Sequence, residues 1–273
     1  MLPRQHLYEV AWGVAGLWWG LRGALALRRR SRGAAPWTRL LALVATTILA
    51  TLLGARLHYV MLGPDLLLSL GWRALVLPLP EGAGLRITGG LLAGGLVIAT
   101  LGPRATRRRL GLAEIADTLV PLAGVAIAIG RLGCFAEGCC FGVPCAAPWC
   151  VRFASWTPAW WSHVAQGLIT ASDEASLPVH PVQLYLGLSG LAATIVSSLL
   201  VRERATHAGG RALCFVLVLA GLRAAIEPLR ETRFGAGVPH EAAFNLGVAL
   251  VAGVWLTYRL RRQRGVGRAP SCW

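Results

Sequence analysis

The stretch LLALVATTILATLLGARLHYVML, at residues 40–62, decides the fold class of this sequence. Its one formal charge is Arg56, and it is long enough to cross the roughly 30 Å hydrocarbon core of a bilayer as a helix. The 273-residue chain is 55% hydrophobic and 14% charged, which is typical of membrane proteins. Seven apolar runs occur, so we predict an all-α integral membrane protein with about seven transmembrane helices. The runs lie at about 8–27, 40–62, 87–102, 113–130, 182–201, 212–229 and 241–258.

Arginine supplies every basic residue of the chain, and its distribution orients the predicted helices. The connections 28–39, 103–112 and 202–211 and the tail from residue 259 hold 17 arginines, whereas the alternate segments hold 7. The positive-inside rule places the richer set in the cytoplasm. We therefore predict that the N-terminus is outside and the C-terminus is cytoplasmic. The arginines lie between apolar runs rather than along a polar domain, which argues against nucleic-acid binding.

One long polar insert, at about 131–181, lies on the predicted outer side of a single polytopic domain that spans residues 1–273. Because cysteines on an oxidising side usually pair, we expect a disulfide between Cys145 and Cys150. Adjacent Trp160 and Trp161 fit an interfacial aromatic belt. The insert has no C-x-x-C pair, so neither a metal ligand nor a cofactor is predicted. Its five cysteines are Cys134, Cys139, Cys140, Cys145 and Cys150.

Residues 130–142 read GRLGCFAEGCCFG, and four glycines in thirteen residues argue against a regular helix. We expect an irregular or re-entrant segment here. Such a segment is tolerated at membrane depth where protein or a water-filled cavity surrounds it, and it is one way to build a site.

Three arginines are expected inside the membrane at one depth, near the outer ends of their helices. They are Arg56, Arg131 and Arg223. A guanidinium stays charged and pairs with phosphate oxygens through a planar fork. The pattern favours a lipid-phosphate site, with ion pairing between helices, for instance of Arg223 with Glu227, as the structural alternative. Glu114 and Asp117, near the inner end of the fourth helix, fit capping or packing roles.

Residues 130–142 resemble the glycine-rich signature of the bacterial prolipoprotein diacylglyceryl transferases, which typically reads Gly-Arg-hydrophobic-Gly-Asn-Phe-x-Asn-Gly-Glu-x-x-Gly. Other segments match motifs of that family in the same order, and the resemblance runs from about residue 54 to 233. These segments are GARLHYV at 54–60, TGGL at 88–91, HPVQLY at 180–185 and the sixth-helix residues Gly221, Leu222, Arg223, Glu227 and Arg230. The family also has seven helices with the N-terminus outside.

The resemblance implies an enzyme of the bacterial inner membrane, with its site towards the outer leaflet. The implied reaction transfers diacylglyceryl from phosphatidylglycerol to the lipobox cysteine thiol of a preprolipoprotein. Negative charge builds on the departing phosphate, so preorganised arginines stabilise the transition state. We assign this role to Arg131 and Arg223, with Glu227 in the same motif. A base must also take the thiol proton, and His180 and Glu137 are the candidates. The implied substrate-binding residues are Arg56, Thr88, Gly89, Gly90, Cys134, Gly138, Gly142, Gln183 and Tyr185.

The departures from the family pattern include three polar positions. Thr88 stands where the third-helix motif has histidine, Cys134 where the glycine-rich motif has asparagine, and Cys139 where that motif has glutamate. Two alternatives therefore stay open: a divergent paralogue that uses another lipid or acceptor, and a non-catalytic lipid- or metal-binding membrane protein. Gln183 and Tyr185 fit anchoring of a helix start equally well.

Overall fold

A computed structural model of the chain describes residues 7–61, 87–201, 208–232, 235–236 and 239–266. These residues form helices, one 3₁₀ turn at Glu227–Leu229 and a two-stranded antiparallel hairpin. The helices are α1 (Leu7–Arg30), α2 (Trp37–Met61), α3 (Ile87–Ala105), α4 (Leu112–Glu137), α5 (Pro158–Ala165), α6 (Val182–Leu200), α7 (Gly210–Ile226) and α8 (Pro239–Val266), and the strands are β1 (Glu231–Thr232) and β2 (Gly235–Ala236).

Each of the seven predicted apolar runs coincides with a helix. Within the described part of the chain, five helical stretches are long and apolar enough to cross a membrane: α1, α2, α4, α6 and Gly210–Leu229, which joins α7 to the 3₁₀ turn. Two shorter apolar stretches, Gly89–Ala105 in α3 and Ala242–Tyr258 in α8, accompany them. In lipid a helix satisfies its own backbone polar groups, which explains why these runs are helical. The chain is thus a helical, multi-pass membrane protein, while the count of seven spans and the sidedness stay predictions.

The chain divides into two compact units. The smaller unit is Gly20–Ile115, and the larger unit combines Met1–Trp19 with Ala116–Trp273.

In the smaller unit, α2 and α3 approach closely through small residues. Gly54 lies against Gly89 and Ala93, and a Cβ on Gly90 would lie 2.8 Å from the Thr51 carbonyl oxygen. Small residues let membrane helices come into backbone contact, which is where van der Waals packing drives their association. Packing therefore explains why residues 89 and 90 are glycine, and their substrate-binding role stays a prediction. Arg56 is buried within α2 of the same unit.

In the larger unit, α4 and α6 cross at another pair of glycines. A Cβ on Gly124 would clash with the Gly190 carbonyl group and with Thr194 Oγ1. Thr194 Oγ1 also donates a hydrogen bond of 2.7 Å to the Pro121 carbonyl oxygen of α4. The two helices are thus joined by small-residue packing and by an interhelical hydrogen bond, both typical of membrane proteins.

Two carboxylates serve helix starts, as predicted. Asp117, buried in α4, accepts hydrogen bonds from the Gly209 amide at 2.6 Å and from the Ala212 amide at 2.9 Å, at the beginning of α7. Glu114 accepts from the Gly111 amide at 2.8 Å beside the beginning of α4. Helix starts have unpaired amides, and a carboxylate there is favourable for hydrogen bonding and charge.

The prediction that residues 130–142 are irregular is wrong for the first eight of them, because α4 continues to Glu137. Gly130 and Gly133 lie inside the helix and face α1. A Cβ on Gly130 would lie 2.5 Å from the Trp12 ring, and one on Gly133 would clash with Ala11. These glycines permit close helix packing, so their number does not signal a break in the helix.

We expect Gly124→Ala to lower the free energy of unfolding by about 1–3 kcal/mol, because the added methyl group meets backbone and Thr194 atoms of α6. Gly221→Ala is the matched control, since a Cβ at that position of α7 meets nothing within 4 Å. Unfolding of the detergent-purified variants, followed by tryptophan fluorescence, measures the difference. Equal stability of the two variants would contradict the close α4–α6 contact.

Candidate functional site

The end of α4 is a left-handed glycine turn. Gly138 has a φ of 79°, and the amides of Gly138 and Cys139 both donate to the Cys134 carbonyl oxygen, at 3.0 and 3.1 Å. This arrangement is a common helix C-terminus, in which glycine adopts the left-handed conformation without a Cβ penalty. The chain is irregular from Gly138 onward, so the predicted insert begins there and not at residue 131.

The insert, residues 138–181, is a folded segment with its own small core. The core residues are Phe141, Phe153, Ala159 and Val179, with Phe135 and Val151 packed against them. Val151 and Val179 exchange backbone hydrogen bonds of 3.0 and 2.9 Å. The predicted disulfide between Cys145 and Cys150 is confirmed. The insert therefore holds the residues around the end of α4 on a structured support.

The interfacial role expected for the tryptophan pair is wrong for one of its members. Trp160 is 1% exposed, and its Nε1 donates a hydrogen bond of 2.7 Å to the Asp173 carbonyl oxygen. Trp161 is exposed, as is Trp156, whose ring packs against both. Adjacent residues of a helix point in different directions, so only one member of the pair reaches the surface.

Three free thiols meet at the end of α4. The sulfur atoms of Cys134, Cys139 and Cys140 all lie within 4.8 Å of one another. Hydrogen bonds from the thiols of Cys134 and Cys139 lower the pKa of Cys140, and the nearby Arg131 and Arg230 guanidiniums add to this effect, although burial opposes it. Cys140 is therefore the member of the three-thiol group that best accommodates negative charge, whereas its neighbours raise the pKa of Cys139.

Arg131 projects from the last two turns of α4, where that helix faces α6. A Cβ on Gly187 of α6 would lie 3.6 Å from Arg131 Cβ, so glycine leaves room for the arginine. The Arg131 Nε atom is buried and has no hydrogen-bond partner among the described residues. Arg131 also interacts electrostatically with Tyr8 of α1 and with Cys134. A donor buried in this way is suited to an anionic ligand, because burial strengthens a charge-assisted hydrogen bond.

The beginning of α6 is attached to the glycine turn. Gln183, fully buried, donates a hydrogen bond of 2.6 Å from Nε2 to the Cys139 carbonyl oxygen. His180 Nδ1 lies 3.3 Å from the Tyr185 hydroxyl, and the His180 carbonyl oxygen accepts from the Gly142 amide at 3.0 Å. The motif HPVQLY thus faces the end of α4 through both its backbone and its side chains.

The segment that follows α7 completes this part of the structure. Gly142 pairs with Arg230 as an isolated β-bridge, and a Cβ on Gly142 would lie 2.5 Å from the Leu229 carbonyl oxygen. Arg230 Nη1 lies 3.4 Å from Oε1 of Glu227, which is buried. Glycine is needed at position 142 because two backbone segments meet there.

A buried histidine secures the same segment to the insert. His163 Nδ1 accepts from the Leu177 amide at 3.1 Å, so its Nε2 carries the proton and faces Glu231 Oε2 at 3.5 Å. The other Glu231 oxygen accepts hydrogen bonds from Gln166 at 2.7 Å and from Ser162 at 3.3 Å. Glu231, the neighbour of Arg230, is therefore held in place by side chains at the C-terminal end of α5.

The chain is similar to known proteins along most of its length. The family model for prolipoprotein diacylglyceryl transferase matches residues 6–261 of the chain. The chain belongs to this family. The family predicted from the motifs is thus confirmed.

Curated relatives carry the same family name. The phosphatidylglycerol–prolipoprotein diacylglyceryl transferase of Azotobacter vinelandii is 33% identical over 192 residues, which are 68% of this chain and 62% of that protein. The alignment therefore covers less than two thirds of that relative. The enzymes of the same name from Pseudomonas putida and Bordetella parapertussis are 31% and 30% identical over 232 and 219 residues. These alignments cover 79% of this chain in both cases, and 79% and 71% of the relatives.

The structure brings most of the transferase-family motif residues of the larger unit close together. Those linked by the contacts above are Arg131, Cys134, Gly138, Gly142, His180, Gln183, Tyr185 and Glu227. Glu137 is the last residue of α4, and Arg223 lies half-buried in the last turn of α7. Arg56, Gly89 and Gly90 belong to the smaller unit, and the side chain of Thr88 lies outside the described residues. The convergence of Arg56 with Arg131 and Arg223 stays a prediction.

Three residues near this site were not assigned to it from the sequence. Arg230 belongs to the sixth-helix motif but has no predicted role in the site, Glu231 follows it, and Tyr8 comes from α1. The available signal was the position of Arg230 and Glu231 directly after a matched motif. Tyr8 has no local signal, because only the packing of α1 against α4 brings it to the thiols.

Proposed function

We propose that this chain transfers the diacylglyceryl group of phosphatidylglycerol to the lipobox cysteine thiol of preprolipoproteins. The observation that carries the proposal is the position of Arg131, whose buried Nε lies at the end of α4 beside the thiol group and the motif residues of α6. Family membership and the names of the relatives support the same reaction.

The reaction places its developing charge where arginine can act. The acceptor thiolate attacks a glycerol carbon, the sulfur–carbon bond forms, and the bond from that carbon to the phosphate oxygen breaks. The products are the thioether-linked diacylglyceryl group and glycerol phosphate. Arg131 and Arg223 bind the phosphate and stabilise the charge that grows on its oxygens, which selectively stabilises the transition state. Glu227, paired with Arg230, orients the segment after α7.

The remaining assignments follow from this chemistry. Phosphatidylglycerol binds from the outer leaflet of the bacterial inner membrane, and the predicted substrate-binding residues of the larger unit surround its headgroup. These residues are Cys134, Gly138, Gly142, Gln183 and Tyr185. Gln183 supports the site through the Cys139 carbonyl oxygen. Gly138 permits the left-handed turn, and Gly142 permits the close approach of the Leu229 backbone. The chain crosses the membrane seven times, with its N-terminus and insert outside and its C-terminus in the cytoplasm.

The thiols at positions 134 and 139 favour a second candidate function. They replace an amide and a carboxylate of the family pattern, and they lie within 4.8 Å of each other beside Arg131. A site with this altered polarity fits the same transfer from a different lipid or to a different acceptor. Replacing phosphatidylglycerol by other phospholipids in the same assay distinguishes the two candidates.

We expect Arg131→Ala to reduce transfer by roughly 10²–10³-fold, the usual loss when one preorganised donor to a developing anion is removed. Arg131→Lys should recover only part of the rate, because lysine lacks the planar fork. Arg152→Ala is the matched control, since this exposed arginine contacts the Ser176 carbonyl oxygen within the insert. The measurement is the diacylglyceryl mass added to a lipobox peptide by purified protein with phosphatidylglycerol.

Two results of that assay would reject the proposal. One is the absence of any mass increment for the unsubstituted chain while a relative of established activity works beside it. The other is full activity of Arg131→Ala, which removes the phosphate-binding role.

The proton acceptor is decided by comparing His180→Asn with Glu137→Gln. A general base must be unprotonated to act, so activity falls as the pH drops below its pKa, and removal of the base costs roughly 10²–10⁴-fold. In the variant that lacks the base, kcat/KM should fall by this factor and should no longer decrease at acidic pH. The other variant should retain the profile. If both retain it, neither residue is the base.

Sidedness is measured by labelling introduced cysteines with a membrane-impermeant maleimide in spheroplasts. Ser172→Cys, at an exposed position of the insert, should be labelled before lysis. Arg107→Cys, at an exposed position between α3 and α4, should be labelled only after lysis. Labelling of the unsubstituted chain gives the background, and the reverse pattern would place the insert in the cytoplasm.

A further inference from the structure

Three free thiols lie together at the end of α4, and their convergence has no assigned use in the transfer reaction, where only Cys134 is a predicted substrate-binding residue. Cys134 is 1% exposed, and Cys139 and Cys140 are half-buried. Each sulfur lies within 4.8 Å of the other two. The absence of a C-x-x-C pair argues against metal binding on spacing alone, but the folded chain brings the thiols together from a C-x₄-C-C pattern.

The backbone itself builds this cluster. Gly138 turns the chain at the end of α4, and the Cys139 amide donates back to the Cys134 carbonyl oxygen at 3.1 Å. Cys140 then adopts a φ of 56°, a left-handed conformation that is unfavourable for a residue with a Cβ. Gln183 holds the Cys139 carbonyl oxygen at 2.6 Å from the other side. Unfavourable conformations of this kind persist where the surroundings over-determine them, and they cluster at ligand sites.

The spacing of the sulfurs matches that of three thiolates around one metal ion. A thiolate binds a first-row d¹⁰ ion at about 2.3 Å, so three in a plane around the ion lie about 4 Å apart. The sulfurs of Cys134, Cys139 and Cys140 meet this spacing after movements of under about 1 Å, given their present limit of 4.8 Å.

The composition of the group selects the kind of metal. The group holds thiol sulfurs without a carboxylate or imidazole ligand among the described residues. Soft thiolate ligands select Cu(I) and Zn²⁺ over hard ions, and structural Zn²⁺ prefers four ligands. A group of three thiols therefore fits Cu(I) best.

Two guanidiniums lie near such a centre and offset part of its charge, although Arg230 also pairs with Glu227. Three thiolates around a monovalent ion carry two net negative charges. Arg131 interacts electrostatically with Cys134 and Cys140, and Arg230 interacts with Cys140. A buried anionic centre requires such partners, because desolvation of an unpaired charge is costly.

We propose that Cys134, Cys139 and Cys140 form a three-thiolate binding site for a monovalent thiophilic metal ion, Cu(I). Binding forms three sulfur–copper bonds and releases three thiol protons to solvent, and copper remains Cu(I) throughout. The site needs neither lipid nor acceptor peptide, so its existence is independent of the transferase proposal.

The test is a titration of the full-length, detergent-purified and reduced chain with Cu(I) under anaerobic conditions, in competition with a chromophoric Cu(I) chelator. We expect one Cu(I) per chain. Cys134→Ala, Cys139→Ser and Cys140→Ser should each weaken binding by more than about 100-fold, because each removes a ligand, a larger loss than that of an outer-shell partner.

Two controls separate the cluster from the other cysteines of the described residues. Cys214→Ser removes a buried thiol of α7, and Cys145→Ser/Cys150→Ser removes the thiols that reduction of the disulfide releases. Both should bind Cu(I) as the unsubstituted chain does. Thermal unfolding of every variant reports folding, and Cys139→Ser changes a half-buried side chain and disturbs packing least.

Three results would overturn the proposal. The first is no Cu(I) binding by folded protein whose thiols all react with a thiol reagent. The second is unchanged affinity in folded Cys139→Ser and Cys140→Ser. The third is a disulfide between two of the three cysteines in protein isolated from cells without reductant, which would make the group a redox pair.

Discussion

Two backbone amides that donate to the Cys134 carbonyl oxygen are the contacts on which the site depends. The Gly138 amide makes an ordinary helical bond, and the Cys139 amide reaches the same oxygen because Gly138 is left-handed. A Cβ on Gly138 would lie 3.0 Å from Thr157 and 3.1 Å from Phe153. Arg131 lies on the regular helix before the turn. The turn then brings the thiols of Cys139 and Cys140 close to that of Cys134. It also starts the insert, whose core includes Phe153. The membrane helix, the thiol group and the folded insert therefore share one backbone reversal.

The helical architecture was largely predictable from the sequence, because an apolar run in lipid has few alternatives to a helix. The end of α4 was not. Glycine content argued for irregular structure over 130–142, yet Gly130 and Gly133 are helical because Trp12 and Ala11 of α1 occupy the space of their missing side chains. A high glycine content is compatible either with irregular structure or with a closely packed helix. Only the neighbouring helix shows which of the two applies.

The candidate site was predictable where its residues lie within motifs, as Arg131 and Gln183 do. The disulfide of the insert was also predicted correctly, since its two cysteines are close in sequence and the loop between them is short. Arg230 and Tyr8 were missed because they reach the thiols through tertiary packing. The proximity of the three thiols was not predicted for a related reason. Motif rules for metal ligands assume a regular backbone between the cysteines, whereas the left-handed turn here brings the three sulfurs close together.

The carboxylate of Asp117 has a consequence for assembly in the bilayer. Its oxygens accept from amides at the beginning of α7, although the residue belongs to α4. Alone in lipid, α4 would carry a costly polar group, and the first amides of α7 would lack these acceptors. Each helix thus supplies what the other needs, so the pair is more stable in the membrane than either helix alone. Insertion of α4 into the membrane is thereby coupled to insertion of α7, although the two helices are far apart in the chain.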